Sequence, residues 1–182
     1  YKTDASKTIR LNGAVFTITT RRTKRDGTVV TKNLGHFVSG GIFYEQASAF
    51  KYVIARDEEM SDVVTTLTSS THSKFGTQYV QTTELEPGIY YGQVEGEETV
   101  TKYTVAKGMI YLEDQVEDTD IIYHEEIAPE GYYLPGDDFV AIVGHDKALT
   151  RIENERPNQR IVRRDTPDNP VPVIPNTGFD GE

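Results

Sequence analysis

Apolar and polar positions alternate along most of this chain, in short bursts separated by turn residues. Val15-Phe16-Thr17-Ile18-Thr19 leads through polar residues to a turn signal at Arg25-Asp26-Gly27 and a β-branched return over 28–31. A period of two marks a strand with one buried face, and Asp-Gly between two such runs predicts a hairpin. A Pro-Gly turn signal at 87–88 precedes another β-rich run at 99–105. The segments GMIYLED, DIIYHEEIAPEGYYL, DFVAIVGHD and ALTRIENE have the same character and predict further short strands. Residues 45–60 differ: Ala47, Phe50, Val53 and Ile54 recur at helical spacing and predict one helix. The stretch after it, 65–77, predicts a loop. Many short strands at regular spacing predict an all-β sandwich with one helical excursion. Beyond Pro157 the alternation stops and the chain becomes proline-rich, which predicts an extended tail. The domain boundary is expected near residue 160, giving a domain over 1–160 and a tail over 161–182.

Composition narrows the function. The chain has 182 residues, enough for one ordinary domain with a tail or for two small ones. Eleven Tyr and seven Phe without Trp favour strands. A net charge of −10 excludes a general nucleic-acid binder, whose affinity rests on neutralising phosphates. The absence of cysteine excludes disulfides, thiolate metal sites and a cysteine nucleophile. No stretch is long and apolar enough to span a membrane. No signal peptide is visible either, so both ends are expected to have been trimmed. The basic cluster Arg21, Arg22, Lys24 and Arg25 reads as a solvated hairpin tip, with a binding patch as the alternative. His36, His72, His124 and His145 lack zinc-site spacing, and the acidic 114–120 run lacks the Gly and distal Glu of a calcium loop. No phosphate-binding loop or hydrolytic nucleophile motif is present. The expectation is therefore no cofactor, no metal and no enzyme acting on external substrates.

Two segments carry a resemblance. KTDASKTIRLNGAVFTI, with Lys2, Asp4, Leu11, Gly13, Ala14 and Phe16, resembles the opening strands of the Cna protein B-type domains of Gram-positive surface proteins and pili. EEIAPEGYYL, with Glu125, Ala128, Pro129, Gly131 and Tyr132, resembles the late strand of the same family, often called the E-box. IENERP resembles the final strand, which ends on an Asn shortly before a Pro. The resemblance covers roughly 2–18 and 120–157. The middle, 33–110, is longer than in the simplest members. It implies an immunoglobulin-like sandwich with an elaborated middle.

It also implies an intramolecular isopeptide bond. In such domains a lysine amine attacks an asparagine carboxamide while a buried acid assists. By position these are Lys2, Asn154 and Glu125. General chemistry agrees with the requirement: burial disfavours the charged forms of both lysine and glutamate, and a neutral acid can polarise an amide carbonyl and move protons. Strand parity puts Glu125 on one face with Ile121 and Tyr123, and Asn154 with Thr150 and Ile152. Glu126 falls on the other face with Ile122 and His124, so the choice of Glu125 rests mainly on the motif.

Ile174-Pro175-Asn176-Thr177-Gly178 resembles the sortase sorting signal, Leu-Pro-x-Thr-Gly. The family logic implies cleavage between Thr177 and Gly178 and transfer of the Thr carboxyl to a pilin lysine or the cell wall. Together the motifs imply a secreted, wall-anchored structural pilin, basal or minor. Its implied partners are sortase, other pilin subunits and peptidoglycan. The alternative is a stalk or adhesive domain of a monomeric wall-anchored adhesin, contacting host extracellular matrix or mucus through the 33–110 segment.

Overall fold

A computed structural model describes residues 1–112, 116–136, 138–142 and 152–154, the last of these through their backbone pairing. Among these residues the chain is all-β, with no helix. The strands are β1 (Lys2–Asp4), β2 (Val15–Thr23), β3 (Val29–Val38), β4 (Ile42–Gln46), β5 (Lys51–Ala55), β6 (Val63–Thr68), β7 (Ser70–Thr71), β8 (Gln78–Thr82), β9 (Gly88–Val94), β10 (Val100–Val105), β11 (Asp120–Ile127), β12 (Phe139–Ile142) and β13 (Ile152–Asn154). Three antiparallel sheets have the orders β12-β11-β2-β3, β10-β9-β5-β6 and β4-β8-β7; β1 and β13 pair in parallel. This organisation is consistent with a β-sandwich.

The β2–β3 hairpin closes through the 24–28 turn, where the Asp26 carboxylate accepts the Thr28 N–H at 2.9 Å. Phe16 and Ile18 alternate inward from β2 and meet Ala14 and Ile121 in one core. A second core joins β4 and β8 to β5, β9 and β10 through Ile42, Phe50, Tyr52, Ile54, Val80, Tyr90, Val94 and Val105. Val15, Val38 and Phe43 form a third, smaller cluster, with Phe75, Tyr79 and Ile127 packed against it.

The helix expected over 45–60 does not form. Gln46 ends β4, and β5 runs through the centre of the segment. Phe50, Tyr52 and Ile54 are all buried at a spacing of two, while Lys51 is exposed. The helical spacing of Phe50, Val53 and Ile54 was a coincidence of one apolar run; Tyr52, Val53 and Ile54 favour a strand, and two neighbouring strands supply its hydrogen bonds. The expected loop at 65–77 is also partly strand, since β6 and β7 occupy 63–68 and 70–71. Residues 108–112 of GMIYLED form no strand, and 113–115 lie outside the described residues. So do the proline-rich tail and the boundary near 160.

Candidate cross-link site

The first strand is hydrophilic and yet buried: Lys2, Thr3 and Asp4 are all below one-tenth exposed. Neighbours enclose it on both edges. On one side β13 pairs with it in register Lys2↔Ile152, Thr3↔Glu153 and Asp4↔Asn154. On the other, the Lys2 N–H donates to the Gly108 carbonyl at 2.6 Å, and the Lys2 carbonyl accepts the Leu11 N–H at 3.0 Å. Gly108 has φ +70°, and a Cβ there would lie 2.9 Å from the Lys2 carbonyl oxygen. Only glycine lets the backbones approach so closely in that conformation. Past Asp4 the chain turns sharply. The Asp4 carboxylate accepts the Ser6 hydroxyl at 2.7 and 2.8 Å and the Ile9 N–H at 3.2 Å.

Glu125 reaches this strand from β11. Its carboxylate Oε1 is 3.5 Å from Lys2 Nζ, and the two side chains are 0% and 1% exposed. The distance is that of an ion pair, longer than a tight charge-assisted hydrogen bond. Proton transfer within the pair would leave a neutral amine and a neutral acid, so the charge state of each depends on the other. Glu126 points elsewhere. Its carboxylate accepts the Thr17 hydroxyl at 2.5 Å and lies 3.3 Å from Lys74 Nζ.

The structure thus brings Lys2 and Glu125 together and sets β13 beside β1. Asn154 takes the register position opposite Asp4, two residues along from Lys2; its side chain lies outside the description. The sorting motif Ile174, Pro175, Asn176, Thr177 and Gly178 lies outside the described residues. Sequence reasoning gave no role to Asp4, although it is part of the opening motif, nor to Gly108 or Lys74. The only signal for Gly108 was a glycine between two β-rich runs.

A second feature is a cleft of about 440 Å³ between β3, β4 and β10. His36, Tyr44, Glu45, Lys102, Tyr103 and Tyr111 line it, mixing aromatic faces with hydrogen-bonding groups. Beneath its edge, Phe75 stacks between two imidazoles, 3.8 Å from the His36 ring and 4.2 Å from that of His72. His36 Nδ1 pairs with Glu45, which also accepts the Thr77 hydroxyl at 2.7 Å. Among the described residues no cluster of three His, Asp or Glu is arranged to hold a metal ion.

His72 Nδ1 accepts the N–H groups of Lys74 (3.0 Å) and Phe75 (3.2 Å), so it carries no proton in this turn. Burial lowers its pKa from 6.5; His36 and Lys74 add to that, and Glu45 opposes it. The unfolded chain therefore takes up the proton first, and stability from neutral His72 is present above 6.5 and lost as pH falls below it. Hydrogen exchange at the Lys74 and Phe75 amides, corrected for intrinsic rate, should accelerate between about pH 7 and pH 5. His72→Ala should abolish that pH dependence; a dependence that survives would assign it to another group.

No family model matches this chain, and no curated protein and no solved structure is significantly similar to it.

Proposed function

We propose that this chain is a structural subunit of a Gram-positive cell surface, a basal or minor pilin of the Cna B-type, stabilised by a self-formed Lys2–Asn154 isopeptide bond. The observation that carries the reading is the Lys2–Glu125 pair, fully buried and 3.5 Å apart, with Lys2 on a strand that pairs directly with the one ending in Asn154. In ideal strand geometry, positions one strand across and two residues along are ~8 Å apart, a span that a lysine and an asparagine side chain together can close.

The chemistry balances. Glu125 takes a proton from the Lys2 ammonium, freeing the amine to attack the Asn154 carboxamide carbon. The protonated Glu125 then stabilises the developing oxyanion, gives its proton to the departing nitrogen and takes the second proton from the attacking Lys2 nitrogen, ending as the neutral acid. A C–N bond to Lys2 forms, the C–NH₂ bond breaks and ammonia leaves. The protein acts only on itself, and no cofactor enters. In this reading the tail delivers the domain to sortase for secretion-coupled wall anchoring. The missing cysteines are replaced by a cross-link that cannot be reduced.

Intact mass tests the reading. The folded chain should weigh one ammonia less than its sequence, and Asn154→Ala should show no such deficit. A native mass equal to the unmodified sequence overturns the bond. The cleft favours a second reading, an adhesive domain of a monomeric wall-anchored protein contacting host matrix or mucus. Wall extracts separate the two, since a pilin gives a high-mass ladder and a monomeric adhesin a single species.

A further inference from the structure

β11 carries a bulge at the site. Glu125 faces Phe16 and Ile127 faces Val15, so Glu126 is an extra residue with no opposite number in β2. A bulge leaves part of the ladder unmade and re-aims the flanking side chains. Here the unmade part is capped from far away in sequence: Lys74 Nζ donates to the Glu126 main-chain carbonyl at 2.6 Å. The same ammonium lies 3.3 Å from the Glu126 carboxylate, whose other oxygen accepts the Thr17 hydroxyl. His124 Nε2 is 3.9 Å from that carboxylate. One residue is thus fixed through backbone and side chain, by β2 on one hand and by the 72–77 turn on the other.

The position of the bulge decides where Glu125 points. A one-residue slip of pairing moves every side chain beyond it to the opposite face of the sheet. With the bulge at Glu126, Glu125 is inward beside Lys2. Moved one step earlier in the strand, the bulge would turn Glu125 outward. We propose that Lys74, Thr17 and Glu126 form a clamp that locks this bulge and so aims Glu125 at Lys2. They are positioning residues for the cross-linking reaction, and the 72–77 turn of the central segment is a working part of the site. The proposal rests on the reading of Lys2, Glu125 and Asn154 given above.

Lys74 is exposed, so Lys74→Met keeps the stem and removes the donor without opening a core. Two measurements test the clamp. In the first, full-length chain is refolded from urea and its intact mass is followed with time. Lys74→Met should lose ammonia about tenfold more slowly than native, as expected for a misaimed catalytic group, and Lys74→Arg should recover most of the rate. In the second, the Glu125 carboxyl is titrated by ¹³C NMR in the Asn154→Ala chain, which cannot cross-link. Adding Lys74→Met should move that titration. A rate within about twofold of native, or an unmoved Glu125 titration, overturns the clamp. If the native chain never loses ammonia, the isopeptide reading fails by itself, and the Asn154→Ala titration still decides whether the clamp aims Glu125.

Discussion

If the Lys2–Asn154 bond forms, Glu125→Ala should keep the full mass of its sequence and lose most of the native chain's stability. Two losses combine. The first is the cross-link. A bond from Lys2 to Asn154 would close nearly the whole domain, and the loop-entropy relation for covalent closure gives about 5 kcal/mol for a loop of that length. The second is electrostatic. Glu125 is 0% exposed and Lys2 1%, and removing one member of a buried ion pair costs roughly 3–5 kcal/mol because the remaining charge stays in a dry site. Together they rival the roughly 5–15 kcal/mol that holds an ordinary domain together. Asn154→Ala isolates the first loss, because it removes the electrophile and leaves the pair. Lys2→Met with Glu125→Leu removes bond and charges together, and apolar replacement of a buried pair is often neutral, so this double variant should resemble Asn154→Ala. Urea unfolding and intact mass on the four chains give the comparison. A Glu125→Ala chain that is one ammonia light, or as stable as Asn154→Ala, sinks the role assigned to Glu125.

The sequence made some of this legible and hid the rest for identifiable reasons. The β2–β3 hairpin was readable because alternation and Asp26-Gly27 are both local signals. The burial of Lys2, Thr3 and Asp4 was not, since three hydrophilic residues in a row give no period and no apolar content. Only the motif resemblance pointed to Lys2. The motif also preferred Glu125 to Glu126, which strand parity alone could not do, and the two carboxylates do go to different surroundings. The helix expected over 45–60 failed because the apolar positions among residues 50–54 fit either period. The competing strand was decided by β6 and β9, which lie later in the chain. Lys74 was unreadable for a similar reason: its partner carbonyl is 52 residues away, and an exposed lysine after Ser73 gives no hint of it.

Tyr52→Ala should destabilise the chain by about 4 kcal/mol, within the range for deleting a fully buried aromatic ring. Tyr52 is 1% exposed. Its ring stacks on Tyr44 at 4.5 Å and meets Phe50 edge-on at 6.2 Å, and its hydroxyl bonds that of Tyr103 at 2.7 Å. Burial pushes its phenol pKa upward, so it stays neutral. Gly92 is cut to fit it, since a Cβ there would lie 2.4 Å from the ring. Tyr52→Phe, which keeps the ring and loses one hydrogen bond, should cost only about 1 kcal/mol. The location of the damage matters as much as its size. Tyr52 belongs to the core between β4, β8 and β5, β9, β10, whereas Phe16, Ile18 and Ile121 form another around β2 and β11. Native-state hydrogen exchange of Tyr52→Ala should therefore speed up in β5 and β9 before β2 and β11. Equal acceleration in all four strands would mean that the two cores melt as one. If they separate, the central segment is a unit that can open on its own. A bond between Lys2 and Asn154 would enclose that unit within its loop, so the first and last strands would stay joined while the middle yields.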